Sequence, residues 1–217
     1  MSDNWAMVDG LLESLLLAPD DALAAALAAA DDAGLPPIQV PPLQGRFLHL
    51  LARAIGARRI LEFGTLGGYS TIWLARALPR DGRLTTLELD PGHAEVARAN
   101  LARAGVGELV DVLVGPAAQS LPALDGETFD FTFIDADKPS TPDYFDWSVA
   151  HTRAGGVIVV DNVVRRGAIL DDSDEDANVV GVRRFMELAG RDPRVSVTAL
   201  QTVGGKGHDG FALAVVN

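Results

Sequence analysis

The segment Arg59-Ile60-Leu61-Glu62-Phe63-Gly64-Thr65-Leu66-Gly67-Gly68-Tyr69-Ser70 constrains this chain more than any other. Ile60–Phe63 reads as a short buried strand, apolar except for Glu62. Glycines at 64, 67 and 68 mark a turn, and Thr71-Ile72-Trp73-Leu74-Ala75-Arg76-Ala77-Leu78 reads as a helix. A strand, a glycine-rich turn and a helix make the opening unit of a nucleotide-binding α/β sheet. The glycines let the backbone approach a ligand where a Cβ would clash.

The spacing narrows the ligand. A dinucleotide fingerprint runs G-x-G-x-x-G, whereas this loop runs Glu62-x-Gly64-x-x-Gly67-Gly68. A diphosphate favours bare helix-end N–H groups with no anion nearby. An acid inside the loop favours a cationic ligand, and S-adenosylmethionine (SAM) carries a sulfonium and an amino group. An ordinary tight strand–helix turn fits the same residues, so the downstream positions must discriminate.

The 217 residues suffice for one α/β domain with a substantial core. With 18 basic and 30 acidic residues the net charge is −12. That balance disfavours attraction to phosphate backbones or anionic membranes, so neither nucleic acid nor a membrane is the expected partner. The absence of cysteine excludes disulfides and thiolate metal sites. Asp3, Asp9 and Glu13, with no basic residue ahead of the first apolar run, do not make a secretory signal. No apolar stretch approaches the ~20 residues that span a bilayer. A cytoplasmic protein is expected.

Residues 5–17 and 21–33 read as helices, and 35–42 must be extended because its four prolines restrict themselves and their predecessors. A third helix carries Leu43, Phe47, Leu50, Leu51 and Ala54 on one face and closes at Gly56. Strands and helices then alternate. Strands are expected at Ile60–Phe63, Leu84–Leu89, Val110–Val114, Phe129–Ile134 and Val157–Val160, with helices over Pro91–Ala104 and 177–190. Val195–Val203 and Phe211–Val216 are the last two strands. The glycine-rich loop between them is too short for a crossover helix, so they pair antiparallel. One domain is expected, with residues 1–56 as a helical cap and 57–217 as a Rossmann-like core.

Ligands in such sheets bind beyond the carboxyl ends of the strands, and each of these ends carries an oxygen. Glu62 and Gly64 close the first strand. Glu88 closes the second, 24 residues after Gly64, where an acid accepts hydrogen bonds from ribose hydroxyls. Asp135 closes the fourth and Asp161-Asn162 the fifth. Two carboxylates and an amide, without His or Cys, suit a hard divalent cation such as Mg²⁺. Asp and Asn also begin turns for conformational reasons, and it is the pairing of both positions after apolar runs that favours the metal. Lys138 lies three residues past Asp135; near a dication and a cationic donor its amine can take a proton from a hydroxyl.

The runs LEFGTLGGYSTIWLARAL, TLELD, FTFIDADK, VIVVDN and VGGKGHDGFALAVV resemble the cation- and SAM-dependent O-methyltransferases of the catechol and caffeoyl-CoA O-methyltransferase family, in a bacterial form. The resemblance covers about Val40 to the C-terminus. It implies a class I methyltransferase fold, a Rossmann-like α/β arrangement with a seven-stranded, mostly parallel sheet and an antiparallel C-terminal hairpin. It assigns Asp135, Asp161 and Asn162 to a Mg²⁺ (or Mn²⁺ or Ca²⁺) ion and Lys138 to the base, with Asp135 shared between metal, donor and chemistry. It places Val40, Glu62, Gly64, Thr65, Gly68, Ser70, Glu88 and Ala117 around SAM. It implies a phenolic small-molecule acceptor and a homodimer. The loop Gly204–Gly210 departs from the plant enzymes, so the acceptor does not carry over. The acidic run Asp171–Asp176 reads as a solvated loop; were it to overhang the pocket, it would repel a CoA ester.

Three rivals stay open at this level. The acceptor could be a hydroxylated uridine of tRNA, against which the charge argues. The chain could bind SAM without catalysis. It could also be a nicotinamide oxidoreductase, which the glycine spacing and the lack of a Tyr-x-x-x-Lys pair disfavour.

Overall fold

The computed structural model describes residues 3–217. They form eight α-helices and seven strands, in the order α1 (Asp3–Leu16), α2 (Asp21–Asp32), α3 (Pro42–Ala54), β1 (Arg59–Phe63), α4 (Tyr69–Ala75), β2 (Arg83–Glu88), α5 (Pro91–Arg103), β3 (Val110–Val114), α6 (Ala117–Ser120), β4 (Phe129–Ile134), α7 (Thr141–His151), β5 (Thr152–Asp161), α8 (Ala177–Ala189), β6 (Val195–Gly204) and β7 (Gly207–Val216). Two compact units result, one of residues 10–127 and one of residues 128–217 with the N-terminal residues up to Asp9.

The first unit is built on three parallel strands. β1 pairs with β2 from Arg59↔Arg83 to Phe63↔Leu87, and β2 pairs with β3 from Leu84↔Val110 to Glu88↔Val114. β1 is buried from Ile60 to Phe63, as a strand covered on both faces must be. All seven residues of α4 are buried, which is why its sequence shows no polar face. The N-terminal helices join this unit through named polar contacts. Asp20 caps α2 by accepting from the Leu23 amide (3.0 Å), and it takes Arg76 Nη1 at 2.5 Å. The guanidinium holds the Asp20 carboxyl below the usual range. Asn100 of α5 donates to Gly67 O (2.8 Å) and Ala26 O (3.2 Å), tying α2 to the glycine turn.

The second unit carries four strands in the order β4-β5-β7-β6. β4 and β5 are parallel, and β7 runs antiparallel to both β5 and β6. α7 supplies the crossover that two parallel strands require. Its apolar periodicity is weak in the sequence, and topology demands it where pattern does not announce it. Phe145 of α7 meets Phe185 of α8 edge-on, with centroids 5.0 Å apart at 70°.

The last three strands run further than the sequence predicts. β5 begins at Thr152 rather than Val157, and its register against β4 shifts between Phe129 and Phe131. Gly155 (φ +72°) and Gly156 absorb the shift. The last hairpin is longer too: β6 reaches Gly204 and β7 starts at Gly207, so the expected loop is a two-stranded arm closed by Gly205-Lys206. Arm residues Gly207–Gly210 extend past Phe211, the partner of Asp161, by roughly 13 Å at ~3.4 Å per residue. Polar and glycine-rich strands hide from an apolar pattern, which explains the shortfall.

A Cβ on Gly156 would stand 2.9 Å from both Arg153 O and Asp130 O, neither of which can retreat without breaking the sheet. Gly156→Ala should therefore destabilise the protein by about 1–3 kcal/mol, read as a lower urea midpoint at unchanged slope.

Candidate active site

The residues expected around the donor, apart from Asp135, lie in the first unit, and two buried carboxylates organise them. Glu62, 0% exposed at the end of β1, accepts from Ser70 Oγ (2.7 Å), Thr71 Oγ1 (2.5 Å) and Thr86 Oγ1 (2.8 Å). Thr86 in turn meets Thr65, Oγ1 to Oγ1, at 2.6 Å. The sequence offers Glu62 to a cationic ligand. In the structure its carboxylate accepts from these three hydroxyls, which fix the glycine turn onto α4 and β2.

Glu88 grips the same turn from the other side. Its Oε2 accepts from the amides of Thr65 (3.1 Å) and Leu66 (2.7 Å), and its Oε1 from the amide of Asp90 (3.0 Å). His93 Nδ1 stands 3.5 Å from Oε1. A carboxylate offers about four lone-pair sites, so three amides leave capacity for a ribose hydroxyl. Between these acids the turn uses left-handed backbone at Gly64 (φ +91°), Leu66 (φ +50°) and Gly68 (φ +80°). At Gly68 the left-handed backbone favours glycine, and α5 packs alongside with Ala97 Cα 3.4 Å from where a Cβ would stand. Val40 is buried two residues ahead of α3, and Ala117 is half-buried at the start of α6.

The expected cation ligands and base lie in the second unit. The parallel register ends at Ile134↔Val160, so Asp135 and Asp161 are the next residues on neighbouring strand tips, which lie about 5 Å apart. Asp161 is 5% exposed. Asn162 follows at φ +56°, its amide donating to Asp161 Oδ1 at 2.9 Å. Acids on neighbouring strand tips disfavour each other's charge, and a cation nearby offsets that. Lys138 Nζ supplies one cation, 3.1 Å from Asp135 Oδ1 and 6% exposed. Lys206, at the tip of the β6–β7 arm, supplies another in the field of both acids; burial, the larger influence, lowers its pKa, while Asp135 and Asp161 raise it. Among the described residues no group of three or more His, Cys, Asp or Glu could hold a metal ion. The set here is two carboxylates and an amide, all hard oxygen donors, and it fits Mg²⁺ or Ca²⁺ better than a softer metal.

Residues that carry no motif in the sequence build this corner. Asp137 Oδ2 accepts from the Ser140 amide (3.2 Å) and its Oδ1 from Tyr144 Oη (2.8 Å), which sets the turn carrying Lys138. Burial pushes the Tyr144 hydroxyl up to about 12, and the bond to Asp137 adds to it. The Asp-x-x-Ser spacing is the one signal that could have found this turn. Gly181 of α8 lies directly beneath it, against the carbonyl of Lys138. Its Cβ would stand 2.7 Å from Lys138 C and 2.8 Å from Pro139 Cα. Gly181→Ala should displace the Lys138 turn and lower turnover about 100-fold, the scale set by a 1 Å misplacement. Turnover and thermal melting of the purified variant check this; full activity would show that the turn tolerates the shift.

Residues 21–215 match the family model described as O-methyltransferase. A protein of Mycobacterium tuberculosis named catechol O-methyltransferase is 58% identical over 209 residues, covering 96% of this chain and 94% of its own. Another of that name, from Niastella koreensis, is 50% identical and covers 96% of each chain. Among solved structures, an O-methyltransferase of Bacillus cereus in complex with SAH superposes with a TM-score of 0.98 at 50% identity, over 100% of both chains. An O-methyltransferase of Streptomyces achromogenes involved in tomaymycin synthesis, in complex with SAM, superposes at 0.96 with 51% identity over 100% of this chain and 98% of its own. The seven strands are the mostly parallel, Rossmann-like sheet with an antiparallel C-terminal hairpin that the sequence implies. A glycine turn clasped by two acids, strand-tip oxygens and a match along nearly the whole chain lead to one conclusion: this chain belongs to the O-methyltransferase family.

Proposed function

We propose that this protein transfers a methyl group from SAM to a hydroxyl of a catechol-like phenol, with a divalent cation, as a single-domain enzyme. The observation that carries the reading is the pair Asp135 and Asp161 on adjacent strand tips, with Lys138 at 3.1 Å. The names of the relatives and the SAM or SAH in the similar structures support the donor and the acceptor class.

In this reading Glu88 accepts the ribose hydroxyls of the donor, and the turn Gly64–Gly68 lies against its amino-acid end. Val40, Thr65, Ser70 and Ala117 line the rest of the donor's place. Asp135, Asp161 and Asn162 hold the cation. When bound, such a cation stabilises the deprotonated form of a hydroxyl that touches it. That matters because a phenol ionises near ~10 and is a poor nucleophile at neutral pH. Lys138, in its neutral amine form, receives the hydroxyl proton and becomes the ammonium. The acceptor oxygen attacks the methyl carbon, the carbon–oxygen bond forms as the carbon–sulfur bond breaks, and the sulfonium leaves as a neutral thioether. An anion and a cation neutralise each other in this step, so exclusion of water favours it. Holding both partners in line supplies ~7–11 kcal/mol of barrier reduction.

The expected outcome is formation of a monomethyl ether from a vicinal diphenol, followed by mass spectrometry. Chelator should abolish it, added Mg²⁺ should restore it, and Asp161→Ala should lower it at least about 100-fold with no rescue. Unchanged turnover in chelator would falsify the cation's role, and methyl incorporation into tRNA but into no diphenol would move the acceptor to RNA.

The assembly that goes with this reading is a homodimer in the cytoplasm. α1 leaves Met7, Leu11, Leu15 and Leu16 exposed along its length, an apolar surface that a second copy would cover. No described helix is long and apolar enough to cross a membrane. Sedimentation should give a dimer that Leu11→Lys with Leu15→Lys converts to monomer; a monomeric parent protein would refute the assembly.

A further inference from the structure

The segment that follows Asp161 is the most strained in the molecule. Asn162 (φ +56°), Arg165 (φ +53°) and Arg166 (φ +56°) all adopt left-handed backbone, and Gly167 (φ +88°) continues it. Four non-glycine residues have positive φ among the described residues, and three of them fall within these five positions. A left-handed conformation is unfavourable for a side chain with a Cβ, and two successive arginines have no local excuse for it. Something outside the segment must hold it.

The geometry of the strand ends shows what does. The β5–β7 ladder finishes at Asp161↔Phe211. At Asn162 the chain leaves extended backbone, and the following amides lose their ladder partners. Val163 N still reaches Gly210 O at 3.0 Å. The next two amides, of Val164 and Arg165, both donate to Asp209 Oδ1, at 3.0 and 3.1 Å. The same oxygen takes the Gly210 amide at 2.9 Å. One carboxylate oxygen thus gathers three backbone amides from two strand ends. Gly210 permits the close approach, because a Cβ there would meet Leu200 O and stand 2.7 Å from Val164 Cγ2. Asp209 itself is fixed by its place in the β6–β7 ladder opposite Thr202.

We propose that Asp209 is a positioning residue for cation binding: by gathering these amides it locks the left-handed segment and, through it, the side-chain amide of Asn162 beside Asp135 and Asp161. The inference rests on the reading that those three residues hold a divalent cation. Asp209 does not itself belong to that set. Its effect passes through the backbone of residues 162–165, which runs on from the β5 tip and brings the Val164 and Arg165 amides to Asp209. Supporting residues of this kind change metal affinity by about 10–100-fold when removed.

The test is calorimetric titration of Mn²⁺ into the full chain, with SAH titrated into the same samples. Asp209→Ala should weaken Mn²⁺ binding about 10–100-fold, on the scale seen for supporting groups, and leave SAH binding unchanged. Asp209→Asn, which keeps one acceptor oxygen and is the gentler variant for folding, should weaken it less. Glycine adopts left-handed backbone without strain. Adding Arg165→Gly and Arg166→Gly to Asp209→Ala should therefore recover part of the Mn²⁺ affinity, a rescue that a general loss of stability would not show. Equal Mn²⁺ affinity in wild type, Asp209→Asn and Asp209→Ala would overturn the positioning role alone. A wild-type chain that binds SAH but no Mn²⁺ would overturn the cation reading beneath it.

Discussion

Where a strand ends, its last amides lose their partners, and much of this structure depends on how those amides are satisfied. The answer recurs: a side-chain carboxylate takes several at once. Glu88 accepts from Thr65, Leu66 and Asp90 at the end of β2. Asp209 accepts from Val164, Arg165 and Gly210 beside the end of β5. Asp137 accepts from Ser140 after β4, and Asp90 and Asp20 do the same at helix starts. Charge-assisted bonds of this kind are stronger than neutral ones, and an amide left bare in a closed site is costly. The excess of acids that sets the net charge of −12 is thus partly structural.

This arrangement has a consequence for chemistry. An acid that organises a turn places fixed negative charge at its rim, which suits cationic ligands. Glu88 takes three amides and Glu62 three hydroxyls. Two acids from neighbouring strands therefore share the support of one turn. At the tips of β4 and β5, Asp137 accepts from Ser140 and Tyr144 in the turn that carries Lys138, and Asp209 accepts from the amides of Val164 and Arg165.

How much of this is legible in the sequence depends on the kind of signal. β1 and β4 are readable because parallel strands covered on both faces are largely apolar runs. α5 is readable from Pro91 at its start and Gly105 after its end. α7 is not, because its burial is spread over Thr141, Pro142, Phe145, Ser148 and Val149, too polar a set for a clear stripe. The arm of β6 and β7 reads as a loop because Gly204–Gly210 lacks apolar alternation, although backbone bonds alone extend the ladder. Glu88 as a strand-end acid and the Asp135, Asp161 and Asn162 set are visible as residue types at strand ends. The roles of Asp209, Gly181 and Tyr144 are not. Asp209 binds amides 44 and 45 positions away, and the other two act through contacts that only packing reveals.

The sequence by itself determined the strand–turn–helix opening, the run of strands that follows it, and the chemistry available at their carboxyl ends, because these depend on local pattern and on residue type. Only the tertiary structure decided which oxygens are spent on amides and hydroxyls and which remain for a ligand. It also decided where backbone strain is tolerated. The physical reason is that a carboxylate's role is set by the donors within about 3 Å of it, and those donors come from strands and turns that are close in space and far apart in the chain.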